Sequence, residues 1–538
     1  MARVLTNNTT LQYAIESSIG TLPGSPAWRQ LEPNNISSYG ATITTVERRP
    51  ISPTRGRKKG TVTNLESAVE FDGDLTMDSF DDFAEGFVFS EFANVEFDLT
   101  HSKLNGAALD TDTTGDTFEL SSSDFASKTN GAELVSKITW AAGAARTLWY
   151  ARGYVAAVNN GLHEQAAAVT GTDTGIPVTT NLTTETAPTN ARVEVAGVRI
   201  GDSDLTLTVS GSTATLVSAA DVTDWAALGL YPGQFIHIGG VDTNGAVQNA
   251  LNASATDDTY GYARITSISG ATLNLDKLDA TLATADNSSE GDADILFGRF
   301  LRNVATSADS NDSRYLERSY QFEAAYPDLG GAGNDEFEYA VGNFADEWAI
   351  NYPLEDKATC TWGFVGTNTE PIVVAGSRKT NAASAVAPVR TTAVNTSSDI
   401  VSLTTDVVSL ASDVCFKSLT ITLRNNVTPE TCIGTLGASY VNAGLFEVNM
   451  EGQMLFTNKE IANAVRENTT VTFASIFRND NGGVAIDIPS LTFGGGDKEF
   501  PVDESVLVNV TGLAFNDPTG TIPNVSLGVS LFAVVPTA

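Results

Sequence analysis

One short stretch, residues 68–77, constrains this chain more than any other. In AVEFDGDLTM, Val69, Phe71, Gly73, Leu75 and Met77 alternate with Glu70, Asp72, Asp74 and Thr76. A period of two is a β-strand with one apolar and one acidic face. Carboxylates on every second residue repel one another by a few tenths of a kcal/mol or more each. The sheet gains nothing from them, so the acidic face has a use of its own.

The same plan returns at 445–457, LFEVNMEGQMLFT, where Phe446, Val448, Met450, Gly452, Met454 and Phe456 alternate with Glu447, Asn449, Glu451 and Gln453. Each strand is followed by a short helix with an acceptor at its start: Asp78 before SFDDFAEGF, and Thr457 before NKEIANAV with Glu460 three residues on, a capping box. Each is preceded by another alternating run, 42–46 and 419–423, across a connection of nearly equal length. Strand, long loop, strand, helix occurs twice, which is the mark of a fold-level repeat.

Length allows two to four domains and an ample core. The 65 Asp and Glu against 31 Lys and Arg, a formal charge of −34, argue against capture of nucleic acid by phosphate neutralisation. Cys360, Cys415 and Cys432 are scattered, with no CxxC pair, as in a chain made in a reducing compartment. No apolar run approaches the roughly 20 residues that span a bilayer, and MARVLTNNTTLQ lacks a signal-peptide core.

Residues 1–40 read as an extended, turn-rich arm in which Gly20, Pro23, Gly24, Pro26 and Pro33 forbid a long helix. At 47–60, ERRPISPTRGRKKG gathers Arg48, Arg49, Arg55, Arg57, Lys58 and Lys59 in one Pro- and Gly-broken loop, a local inversion of charge. A nucleic-acid patch, a plug for an acidic partner surface and a solvated loop all fit it. From about 101 the texture turns to Thr, Asp, Ser, Gly and Ala, and an insertion begins. Asp110-Thr-Asp112-Thr-Thr-Gly115 resembles the start of a calcium loop, but Thr114 and Ser121 stand where ligands belong. Strands are expected at 148–155, 192–198, 205–209 and 213–217. GLYPGQFIHIGG (229–240) and GYARITSISGATLNLDK (261–277) have the rhythm of a small closed barrel, placing a compact all-β module at about 195–298. Long alternating strands resume from Ser319 through VTFASIFR, VAIDIP and SVLVNVTGLAF to the end.

The search for chemistry is negative. His101, His163 and His237 are far apart and none has a ligand partner at metal spacing. There is no GxSxG, HExxH or P-loop, and GSRKT (376–380) lacks the upstream glycine of a phosphate cradle. The chain is expected to be no enzyme and to use no metal or cofactor. A carbohydrate-active β enzyme would need a cleft with two opposed carboxylates.

The opening LQYAIESSIGTLPGSPAWRQLEP, the basic loop, VEFDGDLTM with its Phe-rich helix, and the closing VNMEGQMLF and LTFGGGDKEF resemble the tail tube proteins, or major tail proteins, of long-tailed, siphovirus-like bacteriophages. The resemblance covers roughly 1–100 and 300–538. It implies a mainly β fold: a tail-tube β-sandwich with a flanking helix and two long hairpins forming part of an inner β-barrel, plus an inserted small all-β domain. The tube domain is then 1–100 with 299–538, and 101–298 decorates the outer surface, which leaves little room for a contractile sheath. It implies a structural virion protein, assembled in the host cytoplasm as hexameric rings that stack helically into the hollow tail. Its partners are further copies of itself, the tape-measure protein in the lumen, tail terminator and distal tail proteins at the ends, and double-stranded DNA passing through at genome ejection, with no membrane.

Two hairpins from each of six copies make about 24 strands, which at ~4.8 Å spacing and ~35–45° tilt close at roughly 45–50 Å. In that frame Glu70, Asp72, Asp74, Glu447 and Glu451 line the bore, and Arg48, Arg49, Arg55, Arg57, Lys58 and Lys59 contact the next ring or neighbouring subunit. A secreted surface-layer or adhesin-type β protein is the alternative that composition also fits.

Overall fold

The computed structural model describes residues 5–48, 51, 58–77, 81–93, 96–98, 109–120, 146–167, 169, 172–188, 191–201, 203–239, 260–287, 292–303, 315–329, 331, 334–405, 415–457, 459–503 and 505–534. Strands dominate, with two α-helices among the described residues. The mainly β expectation is borne out.

The larger of two extensive sheets is built on β1 (Pro33–Arg48), β2 (Lys58–Asp74), β3 (Glu336–Tyr352), β4 (Thr359–Gly366), β5 (Phe416–Arg424), β6 (Glu447–Leu455), β7 (Thr470–Asn479), β8 (Gly482–Glu499) and β9 (Leu507–Ala514), with helix α1 (Asp81–Val88) after β2 and α2 (Lys459–Glu467) after β6. Its ladder runs β1-β2-β4-β3-β5-β6-β9-β8, all antiparallel, and β8 goes on to pair with β7 and with Gly528–Phe532. The strand–strand–helix repeat is present, but its two strand pairs are not neighbours. The β3–β4 hairpin lies between them, so the ladder between the outer strands of the repeat holds two strands that the sequence reading did not count.

The ladder folds over one core. Phe71, Trp362, Trp348, Leu423 and Val448 follow one another across five strands, and Val484, Ile486 and Ile488 of β8 join the same cluster. Helix α1 is sealed inside, with Phe83, Ala84, Phe87 and Val88 buried. Gly86 is required there: a Cβ would stand 2.1 Å from the Tyr320 hydroxyl, which donates to the carbonyl of Asp82. The buried Arg318 guanidinium neutralises Glu85 at 2.6 Å. Strand β3 turns the corner between layers at Gly342, whose φ of 64° suits glycine. Residues 336–341 pair with Tyr320–Tyr326 and Asn368–Val374, and 344–352 with β4 and β5.

The inserted region forms the second sheet, of 11 strands. Arg146–Arg152, Arg192–Ile200, Leu205–Ser210 and Thr213–Ser218 fall where expected, and Gly261–Ser269 with Thr272–Asp276 is the hairpin turned at Gly270. Two expectations need correction. Among the described residues the ladder does not close into a barrel, because its terminal strands, Ala285–Asp286 and Gly161–Glu164, do not pair with each other. The sheet is also wider than 195–298: it takes in Arg146–Arg152 and, ahead of residue 101, Glu96–Asp98 against Arg192–Ile200. The calcium-like loop is a turn in which Asp112 accepts from the Thr114 amide at 3.0 Å and Asp116 from the Leu182 amide at 2.8 Å, so these carboxylates cap backbone.

The second sheet packs on the side of β7 and β8 that faces away from the core, where Phe235 meets Ala474, Ile476, Ala485 and Phe532. Arg264 crosses this boundary to Asp487 at 2.9 Å and to Asp276 at 2.6 Å, with Arg264 and Asp487 both almost fully buried. His237 stands edge-on to Phe532 at 4.4 Å between ring centres, and burial pushes it down to about 3. The folded chain therefore keeps His237 neutral where the unfolded chain takes a proton. Stability present at neutral pH is lost as pH falls from about 6.5 toward 3, by about 2 kcal/mol at pH 5 from this residue. His237→Phe should flatten the fall in melting temperature between pH 7 and pH 5, measured by calorimetry; an unchanged slope would show that His237 titrates alike in the folded and unfolded chain.

Candidate functional site

Period two forces the other face of the main sheet outward, and the register lets it be read strand by strand. One row runs Ser38, Glu70, Gly363, Glu347, Arg424, Glu447 across β1, β2, β4, β3, β5 and β6. The next runs Asn35, Asp72, Thr361, Ala349, Thr422, Asn449 and on to Leu513 of β9. A third runs Asp74, Thr359, Asn351, Thr420, Glu451, Thr511. Glu70, Asp72, Asp74, Glu447 and Glu451 thus project from one continuous face, about 19 Å apart from β2 to β6 at ~4.8 Å per strand. Glu70 and Glu451 are exposed, and Asp72, Asp74 and Glu447 are half-buried.

The face is acidic but not uniformly so. Arg424 pairs with Glu347 at 2.8 Å, between the two acidic strands. Asp74 accepts from Asn34 at 2.5 Å and pairs with Lys357 at 2.7 Å, and that hydrogen bond raises the Lys357 ammonium above its ordinary value. Glu499 joins the face at the β9 side, accepting from Asn509 at 2.7 Å and Gln453 at 3.2 Å. Glu347, Arg424 and Glu499 escaped the sequence reading. The alternation of TCTWGFV (359–365) showed that a strand was there, but it could not say which strands it joins.

Beyond Ser67, paired with Gly366 at the end of β4, β2 leaves that neighbour behind. It continues with β1 alone as a two-stranded arm, about 30 Å long at ~3.3 Å per residue. Arg48, Lys58 and Lys59 are exposed on the arm, as are Ile43, Val46 and Ile51. Arg49, Arg55 and Arg57 lie outside the described residues. Residues 47–48 and 58–60, both ends of the expected loop, are therefore strand. The corresponding connection of the other repeat is a separate hairpin, Thr428–Thr431 with Ala438–Asn442, tipped by a fully exposed Ile433. It leaves from Arg424 and Glu447, in the same row as Glu70, so both protrusions point from the same end of the sheet. Two-stranded hairpins are marginal alone in water; the second is held at its base by Val441, buried with Phe89 and Phe344, and by the Ala438 amide donating to the Thr367 carbonyl at 3.2 Å, whereas the outer part of the arm has β1 and β2 alone.

Among the described residues no group of three or more His, Cys, Asp or Glu could hold a metal ion, and no helix is long and apolar enough to cross a membrane. Residues 277–512 match the family model described as Phage tail tube protein. That span carries β3 to β8 and most of β9, so this part of the chain is similar to phage tail tube proteins and the resemblance read from the sequence is borne out there, while residues 1–100 lie outside the match. No curated protein matches the chain.

The alternation makes a stability forecast. Phe71→Ala, facing the core, should cost about 3–5 kcal/mol, whereas the outward pair Glu70→Gln with Asp72→Asn should change stability by no more than about 0.5 kcal/mol. Urea unfolding followed by Trp fluorescence checks both; equal costs would mean that the register is wrong.

Proposed function

We propose that the chain polymerises as stacked hexameric rings into the tube of a non-contractile phage tail, and that the polar sheet face forms the bore through which the double-stranded genome leaves. The observation that carries this reading is the projection of Glu70, Asp72, Asp74, Glu447 and Glu451 from one face of one sheet. DNA carries a charge about every 1.7 Å, and a basic wall would hold it by counterion release. A wall of carboxylates, Thr and Asn repels the phosphates weakly and binds nothing in sequence. Before ejection the same lumen holds the tape-measure protein, and terminator and distal tail proteins close the ends.

The inserted sheet supports the same orientation. It covers the outward side of β7 and β8, while the polar face is the outward side of the other layer, with the core between them. The insertion then decorates the outer wall. The arm of β1 and β2 carries the contacts between rings, by complementarity of its cations with acidic surface.

Negative-stain electron microscopy of the purified protein should show hollow tubes or stackable six-fold rings; flat lattices would favour a surface-layer protein. Arg55→Gln, Arg57→Gln, Lys58→Gln and Lys59→Gln together should leave folded subunits that no longer polymerise. Phage carrying Glu70→Lys, Asp72→Lys, Glu447→Lys and Glu451→Lys should form tails yet eject DNA more slowly, on the order of tenfold at low salt, by a dye-release assay. Unaltered ejection would remove the polar face from the bore.

A further inference from the structure

At the end of the main sheet away from the protruding arms, where it meets the inserted sheet, opens a cavity of about 450 Å³. That lies within the range of ordinary small-molecule sites, about 300–1,000 Å³. Its aromatic walls are core residues: Tyr13, Phe71, Phe83 and Trp362, with Phe83 4.4 Å from Tyr13 and 5.4 Å from Trp362 between ring centres. Residues 386–391 close one side. They are held along Trp28–Leu31 by the Gln30 amide donating to the Val386 carbonyl at 2.8 Å and the Val386 amide donating to the Trp28 carbonyl at 2.9 Å.

Depth sorts the polar groups of this cavity. Arg29, mostly buried, lines it from the main fold, and Arg192, buried, lines it from the Arg192–Ile200 strand of the inserted sheet. Asp82 fixes Arg29 at the wall, 3.4 Å from its Nε. A guanidinium carries five donors in a planar fork that matches a carboxylate. Cys360 also lines the wall, accepting from the Trp348 indole N–H at 2.9 Å, and burial pushes its thiol up to about 12, so it is no nucleophile at neutral pH. The mouth is different. Glu32 is exposed there, and the charge of Asp74 is offset by Lys357 at 2.7 Å.

We propose that this cavity binds an apolar carboxylate of medium-chain fatty-acid size, with the chain on Phe71, Phe83 and Trp362 and the carboxylate between Arg29 and Arg192. The two cations select the head group, and the aromatic walls select the tail. A neutral or cationic amphiphile would bury apolar surface against the guanidiniums without an anion to meet them, which is costly. Because Arg29 belongs to the main fold and Arg192 to the insertion, the bound acid joins the two sheets and stabilises their seating. The site lies within one subunit and needs no neighbour in a tube.

The purified full chain tests it, with undecanoate and ω-bromoundecanoate as probes. In a chain of formal charge −34, indiscriminate capture of an anion is disfavoured. By calorimetry undecanoate should bind with one-to-one stoichiometry and on the order of tenfold more tightly than undecanol or undecyltrimethylammonium. It should also raise the melting temperature with dose, since it binds only the folded chain. The bromine of ω-bromoundecanoate quenches a tryptophan it touches, so it should quench fluorescence saturably, and Trp362→Phe should remove most of that quenching. Arg192→Gln should weaken undecanoate on the order of tenfold and bring it level with undecanol. Should that variant fail to fold by circular dichroism, Glu32→Gln at the exposed mouth gives an independent reading: it should tighten undecanoate at low salt, since Glu32 repels the incoming anion, and leave undecanol unchanged. Absence of saturable binding, equal affinity for undecanoate and undecanol, or quenching undiminished by Trp362→Phe would each overturn the site.

Discussion

The stack of Trp348 on Trp362, centroids 4.8 Å apart and planes 10° from parallel, is the contact on which the main sheet depends. The two rings sit on adjacent strands, β3 and β4, opposite one another in the register. Phe71 continues the row on one side, and Leu423 and Val448 on the other. Two buried indoles in the middle of six strands fix which face is inside. Because a slip of one residue would turn every side chain over, the same contact also decides that Glu70, Glu347 and Glu447 face outward. The polar face is a consequence of the core.

A second constraint ties the insertion to this frame. The buried Arg264 faces Asp276 from its own sheet and Asp487 from β8, so the charge is shared across the boundary. Such a cluster adds little net stability, yet removing one member strands the others and costs about 3–5 kcal/mol. It therefore specifies one seating of the inserted sheet.

Much of the candidate site was legible early because period two is a local signal. Val69 to Met77 and Phe446 to Phe456 declare their faces without any knowledge of partners, and the acidic residues between them were named on that ground. Partner choice is not local. The β3–β4 hairpin enters the ladder between the two repeats through registers such as Trp362 with Phe71 and Ile350 with Ile421, which no spacing rule encodes. For the same reason Glu347 and Arg424 went unremarked, although each sits in an alternating strand. The small barrel was misjudged because strand rhythm reports the number of hairpins and says nothing of whether the last strand meets the first.

By itself the sequence determined the strand faces, the twofold strand–strand–helix plan, the helix that follows each outer strand and the charge inversion at 47–60, all of which follow from neighbours along the chain. Only the tertiary structure decided that the two acidic strands share a face, that both hairpins leave from one end, and that a cavity lined by Phe71, Phe83 and Trp362 opens at the other. Those are outcomes of pairing between residues hundreds of positions apart. They are set by which apolar rows bury one another best, a competition settled in three dimensions.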